Sequence, residues 1–415
     1  MTEAVSETAY PGQDVTDFRG NVGHMPSQAS VVWDPEFTRY NFGPSHPMSP
    51  LRLDLTARLC EAFGLFDEDD VEIVRPGIAD DEVLHSVHES YFVDGVKTAS
   101  EDPLLADEQL GLGTDDVPAF TGMHEASARI VEGTREVCEA VWTGRANHGV
   151  NFCGGLHHAM AANASGFCVY NDIAVGIKWL LDHGAERVAY VDVDVHHGDG
   201  VESIFWDDPR VLTVSLHETG RALFPGTGWA TDIGGSAALG QAVNVSLPPG
   251  LSDAGWLRAL HSVALPVVRA FRPSILVTQH GADTHARDPL AHFALSVDAQ
   301  RDAMIALHKL AHEVAGGRWV ALGGGGYEIV DVVPRTWTHL TAIAAHRPIL
   351  PGSAVPEAWR EHVNRLLGRP APTRMGDLPE GEPIWWRSWD LGYDPSNEVD
   401  RAVMATRQAV FPLHG

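Results

Sequence analysis

The sequence predicts an α/β fold built on a mainly parallel sheet. Three observations lead there. Short Val-rich runs alternate with longer segments of helical period, no Gly/Ser linker or internal repeat interrupts them, and polar residues gather just after the apolar runs. The 415 residues, 44% hydrophobic and 20% charged, supply enough apolar material for one large core.

Taken in order, residues 1–28 are polar and rich in Ser, Thr, Gly and Pro, which predicts a loose arm. Helical periodicity places helices over about 51–64, 124–142, 172–183, 253–271 and 298–315. The clearest strands are 188–191, 211–214, 243–245, 274–277 and 319–322, interleaved with those helices as βαβ units require. After Pro351 the pattern loosens, with Pro356, Pro370, Pro372, Pro379 and Pro383 ahead of Trp385-Trp386-Arg387-Ser388-Trp389. Large aromatics mostly pack, so this tail is expected to cap the domain. The resulting division is an arm over 1–28, a main domain over 29–350 and an extension over 351–415 packed on that domain.

Lys+Arg 29 against Asp+Glu 56 gives a net charge of −27, the opposite of the basic face that nucleic acid needs. No apolar run is long enough for a membrane span, and the acidic start lacks the order of a signal peptide. Cys60, Cys138, Cys153 and Cys168 show no CxxC spacing and read as free thiols in a reducing cytoplasm.

The chemistry gathers at the carboxyl ends of the predicted strands, the edge where open α/β sheets bind ligands. Strand 188–191 runs into Asp192-Val193-Asp194-Val195-His196-His197-Gly198-Asp199-Gly200. In an extended chain Asp192, Asp194 and His196 share one face, with neighbours about 6.6 Å apart at Cα. Buried carboxylates in one strand need a cation. Asp283, after strand 274–277, is the best third ligand. Two Asp oxygens and one His nitrogen suit Zn²⁺ or Fe²⁺ and leave positions open for water and substrate. Gly154-Gly155-Leu156-His157-His158-Ala159 adds two histidines that need separate partners, for which Asp192 and Asp199 remain. The four-glycine turn 323–326 delivers Tyr327, a phenol able to donate to a forming oxyanion; the turn lacks the lysine and spacing of a phosphate loop.

These stretches, together with Ser165-Gly166-Phe167-Cys168-Val169-Tyr170-Asn171-Asp172, Phe224-Pro225-Gly226-Thr227-Gly228, Gly281-Ala282-Asp283 and His46-Pro47-Met48-Ser49-Pro50-Leu51-Arg52, resemble the zinc-dependent histone deacetylase family over roughly 31–350. Within it, Gly111-Leu112-Gly113-Thr114-Asp115-Asp116 and the tail are most similar to the bacterial acetoin-utilisation type. The resemblance implies an arginase/deacetylase-like fold with a central eight-stranded sheet, and hydrolysis of acetyl-lysine amides to lysine and acetate. It implies zinc on Asp194, His196 and Asp283, with iron as an alternative. It makes His158 the general base and acid, His157 its electrostatic companion, Asp199 and Asp192 their orienting carboxylates, and Tyr327 the oxyanion donor. Gly166, Phe167 and Phe224 would line the substrate tunnel, and Asp116, with Asp115 as the competitor, would hold the substrate backbone at the rim. Asp192, Asp194, His196, Ser215 and Leu216 resemble an inner potassium (K⁺) site.

The implied partner is an acetylated protein or acetyl-lysine peptide, with acetyl-CoA synthetase as the substrate class and an acetylpolyamine as the alternative. A ureohydrolase with two manganese ions would need further carboxylates near Asp283, and a non-catalytic binder would not need the full set of groups. His285, Arg287 and His292 are expected to alter the entrance, and acidic stretches at 67–70 and 101–108 to supply part of its rim.

Overall fold

A computed structural model describes residues 27–67, 71–379 and 383–414. Eight strands form one sheet: β1 (Ser27–Val32), β2 (Val71–Val74), β3 (Ala146–Asn151), β4 (Val188–Asp192), β5 (Val211–Glu218), β6 (Ala242–Leu247), β7 (Ile275–Gln279) and β8 (Trp319–Leu322). Every pairing is parallel, in the order β2-β1-β3-β8-β7-β4-β5-β6. The five strands expected from Val-rich runs are β4 to β8. All of β4 and β5 is buried, and both open on apolar residues, although β5 also buries Thr213, Ser215, His217 and Glu218.

The other three lie outside those expectations, for reasons visible in their composition. β3 carries Asn147, His148, Gly149 and Asn151, and its buried polar side chains find partners inside the fold; Asn151 donates from Nδ2 to Thr134 Oγ1 at 2.9 Å. β2 has four residues and lies at the sheet edge. β1 begins in residues assigned to the arm: Ser27 and Gln28 belong to the strand, and the rest of that expectation, 1–26, lies outside the described residues.

Helices cover the sheet where periodicity places them: Leu51–Ala62, Met123–Trp142, Asp172–Asp182, Val297–Val314, and the run from Asp253 to Phe271, which passes through a π-helical turn at Leu260–Ala264. Side-chain caps set two of the starts, Asn171 accepting from the Ala174 amide and Ser296 from that of Ala299. Helix Val333–Ala344 lies outside the expected helices; all its residues are buried, the polar Arg335, Thr336, Thr338, His339 and Thr341 included. Among the described residues no helix is long and apolar enough to cross a membrane.

The tail is more regular than its prolines suggest, with helices Glu357–Leu367 and Glu398–His414. Trp359 donates to the Leu55 carbonyl at 2.9 Å. Of the clustered tryptophans, Trp386 stacks on His261 at 4.4 Å and Trp389 lies under Arg258 and Arg407, whereas Trp385 is exposed. Arg258 grips Asp400 through two nitrogens, both partners being buried.

Removing one partner of a buried ion pair leaves an uncompensated charge. Arg258→Ala should therefore lower unfolding free energy by about 3–5 kcal/mol in urea denaturation, against less than about 1 kcal/mol for the exposed pair partner Arg269→Ala.

Candidate active site

The strand order reverses between β3 and β4, with β8 and β7 inserted between them, and the loops leaving these strands at their carboxyl ends meet in one crevice. Beyond β4, Asp194 and His196 lie in a loop rather than in the extended strand expected for them, since β4 ends at Asp192. The loop nonetheless brings His196 Nδ1 to 3.1 Å from Asp194 Oδ1 and 3.1 Å from Asp283 Oδ2.

Both carboxylates are inaccessible to solvent. Asp194 Oδ2 accepts from Gln279 Nε2 and from the Gly325 amide, each at 2.8 Å, while Asp283 Oδ1 accepts from the Val195 amide at 3.1 Å. Burial and then the neighbouring Asp194 push the Asp283 carboxyl up, the behaviour of two acids whose joint ionisation calls for a nearby positive charge. Ligands about 2.0–2.1 Å from a tetrahedral zinc ion stand about 3.3 Å apart, close to the separations found here, so this donor set fits such an ion. Among the described residues the site holds this one trio of metal-binding groups, with no second set adjoining it as a two-manganese centre would need.

His157 and His158 leave β3 on a loop tied down by Asp172, which accepts from the Gly155 and Leu156 amides at 3.0 and 2.8 Å. Each ring has its own carboxylate, as their divergent directions require: His157 Nδ1 donates to Asp192 at 2.7 Å and His158 Nδ1 to Asp199 at 2.7 Å. Tyr190 donates to the same Asp192 oxygen at 2.6 Å. The two Nε2 atoms are 3.1 Å apart, so one ring must carry the proton between them. Burial opposes charge on His157, but Asp192 and Asp194 outweigh it and raise the ring to about 9. Burial and then that charge lower His158 to about 4. The pair is thus split into a cation and a neutral base.

A narrow cavity of about 10 Å³, room for about one water, is lined by Met48, His157, His158, Gly166, Cys168, Asp194, His196 and Tyr327 among others. Phe167 packs edge-on to Tyr327 at 5.7 Å and Phe224 edge-on to His158 at 5.0 Å, so the two phenyl rings flank the cavity from different loops. Burial raises the Tyr327 phenol well above its usual range, keeping it a donor. Burial likewise raises the Cys168 thiol, which donates to the Gly166 carbonyl at 3.2 Å. Asp116 Oδ2 accepts from the Gly166 amide at 2.7 Å, while Asp115 is exposed, so of the two it is Asp116 that adjoins the cavity lining. Ser215 pairs in register with Asp192, and its buried hydroxyl contacts His217 Nδ1 at 2.9 Å; Leu216 is buried beside it.

Of the three residues expected to alter the entrance, Arg287 and His292 keep exposed side chains and His285 does not. His285 is buried against Asp377 at 2.9 Å, so it does not shape an entrance; Arg287 reaches Asp331 and His292 reaches Glu218. Of the acidic stretches, 68–70 lies outside the described residues. The chain just after the other is tied to the loop before Gly166, the Ala164 amide donating to the Leu110 carbonyl at 2.9 Å. Three positioning residues have no role in the sequence reading. Gln279 donates to Asp194, Asp288 accepts from the Tyr327 amide at 2.9 Å, and Arg52, buried against Trp337, donates to the Gly324 carbonyl at 2.8 Å and so holds the glycine turn. For Gln279 a signal exists, a polar residue two positions beyond the apolar run 274–277.

Residues 46–344 match the model of the histone deacetylase domain. The chain belongs to the histone deacetylase family. It is 41% identical over 378 residues to the acetoin utilization protein AcuC of Bacillus subtilis, covering 91% of this chain and 97% of that protein. The AcuC proteins of Staphylococcus aureus (strain MSSA476) and Staphylococcus xylosus are 36% and 35% identical, covering 85% and 86% of this chain and 91% and 93% of theirs. The single parallel sheet flanked by helices is the arginase/deacetylase fold of this family.

Gly166 has φ +56°, and a Cβ there would strike the His158 ring. Gly166→Ala should displace that ring and lower kcat on an acetylated substrate by about a hundredfold, with the circular dichroism spectrum of the folded chain retained.

Proposed function

We propose that the protein is a metal-dependent lysine deacetylase that hydrolyses the acetyl-lysine amide to lysine and acetate, acting on cytoplasmic proteins of the acetyl-CoA synthetase class. The observation that carries this reading is the meeting of the Asp194, His196 and Asp283 trio with the charge-split His157–His158 pair in one narrow cavity. Family membership and the AcuC relatives support the same chemistry. The buried free thiols fit a reducing compartment.

Asp194, His196 and Asp283 would hold zinc or iron. A bound ion of this kind supplies Lewis acidity, polarising the amide carbonyl and making water more acidic. The protein's own groups manage the protons. With Nδ1 committed to Asp199, His158 uses Nε2 to take a proton from the attacking water, then returns it to the departing amine nitrogen. His157, held by Asp192, keeps a positive charge beside the reacting centre. Tyr327 donates its phenolic hydrogen to the carbonyl oxygen as that oxygen becomes negative. A slim cavity between Phe167 and Phe224 favours an extended, uncharged acyl-lysine stem over free lysine, whose ammonium would have to shed its water. Asp116, beside Gly166, is the rim carboxylate for substrate backbone amides. Potassium would take hard oxygen donors around Asp192, Asp194, His196, Ser215 and Leu216, a structural role behind the catalytic groups.

Tyr327→Phe should lower kcat by at least about a hundredfold with little change in KM, as measured on an acetyl-lysine peptide; unchanged kcat would remove the phenol from the reaction. Removing metal with a chelator should abolish turnover, and adding back zinc or iron should restore it. The kcat/KM for the acetyl-lysine peptide should exceed that for acetylspermidine; a large preference for the polyamine would transfer the proposal to an acetylpolyamine amidohydrolase.

A further inference from the structure

A second cluster of imidazoles lies away from the catalytic crevice. His148 stands on β3, His308 and His312 are four residues apart on one face of helix Val297–Val314, and His346 follows helix Val333–Ala344. His148 pairs in register with Trp319, the first residue of β8, so the cluster sits toward the amino end of the sheet. Roughly 13 Å of strand rise separates Trp319 from the glycine turn at the catalytic end.

The four rings point the same atom at one another. Nε2 of His148 is 3.2 Å from Nε2 of His312, which is 3.2 Å from Nε2 of His308, which is 3.1 Å from Nε2 of His346. A ring nitrogen offers either one hydrogen or one lone pair, never both. In this series the Nε2 atoms of His312 and His308 each face two others, so at most two of the three contacts can be full hydrogen bonds between neutral rings. The third has to share a hydrogen or a lone pair that is already engaged. A cation among the four nitrogens gives every lone pair a partner at once; the three separations along the series approach the roughly 3.3 Å between nitrogens around a tetrahedral zinc ion, and ligand nitrogens of all four rings lie within 4.8 Å of one another.

Two further features prepare the rings for that role. His148 Nδ1 donates to the Ala344 carbonyl at 2.7 Å, which fixes its tautomer and leaves the Nε2 lone pair facing inward, the arrangement common to metal-bound histidines. His346 has φ +55° at the left-handed position that ends a helix, where glycine is usual. A side chain is disfavoured there, and here it is an imidazole whose Nε2 meets that of His308. Burial lowers the ring pKa of His148, His308 and His346 well below neutrality, leaving them in the uncharged form that coordinates. His312 is exposed and gives an ion a way in.

We propose that His148, His308, His312 and His346 form a second metal site, a closed four-imidazole site for a late first-row divalent ion such as Zn²⁺, which clamps helix Val297–Val314 and the turn at His346 to β3. Four nitrogen donors with no carboxylate disfavour Mg²⁺ and Ca²⁺, and four protein ligands mark a structural rather than a catalytic site.

The test is zinc stoichiometry of the full-length protein, stripped with chelator, reloaded with Zn²⁺ and freed of excess metal by desalting. Two equivalents per chain are expected, falling to one in His312→Ala and one in Asp283→Ala, and to none in the double variant. His312→Ala should keep its deacetylase kcat/KM within about twofold, and Zn²⁺ should raise the Tm of Asp283→Ala but not of the double variant. Cobalt substitution is the second readout. Asp283→Ala should show the intense visible bands of tetrahedral Co²⁺, and adding His312→Ala should remove them. A zinc count that His312→Ala leaves unchanged, or loss of all zinc in Asp283→Ala, would overturn the proposal, whereas a single wild-type equivalent that His312→Ala removes would count against the catalytic centre alone. The reading of the catalytic centre stands or falls separately, on the Tyr327 and chelation experiments.

Discussion

Two carboxylates, Asp194 and Asp283, are held side by side without access to water, each within 3.1 Å of the same imidazole nitrogen. In isolation this pairing is unfavourable, because like charges repel and burial penalises both ions. Much of the surrounding architecture offsets that penalty. Gln279 and the Gly325 amide donate to Asp194, the Val195 amide donates to Asp283, and Arg52 fixes the turn that supplies the glycine donor. The same arrangement favours a cation between the carboxylates, so the repulsion that costs stability is also what would draw in the proposed metal.

The neighbouring histidines solve a related problem. Two adjacent imidazoles in a dry pocket would ordinarily titrate alike, and chemistry needs them to differ. Asp192, reinforced by Asp194, holds His157 positive, and that charge together with burial keeps His158 neutral. Difference in electrostatic surroundings thus turns a repeated residue into two unlike tools.

Legibility in the sequence follows burial and locality. β4 to β8 are readable because each holds a short run rich in Val, Leu or Ile, and the candidate ligand trio because Asp194, His196 and Asp283 fall just beyond β4 and β7, whereas the His pair beyond β3 is marked instead by its paired glycines. β3 is hidden by His148 and Asn151, polar residues whose partners come from other segments. Helix Val333–Ala344 likewise buries polar residues, Arg335, Thr336 and His339, whose partners lie elsewhere in the chain. The positioning residues Gln279, Arg52 and Asp288 act through atoms 39 to 272 residues away in the chain, and no local pattern records such contacts. His285 shows the converse error: proximity to Asp283 in sequence suggests the entrance, but the fold turns it to Asp377.

Cys168 carries a consequence for how the pocket ages. It lines the catalytic cavity, yet its thiol is committed to a carbonyl and raised by burial, so the reactive thiolate is scarcely populated at neutral pH. Peroxide and electrophiles react with thiolates rather than thiols. The cavity therefore carries a sulfur in its lining in the form least reactive toward oxidants.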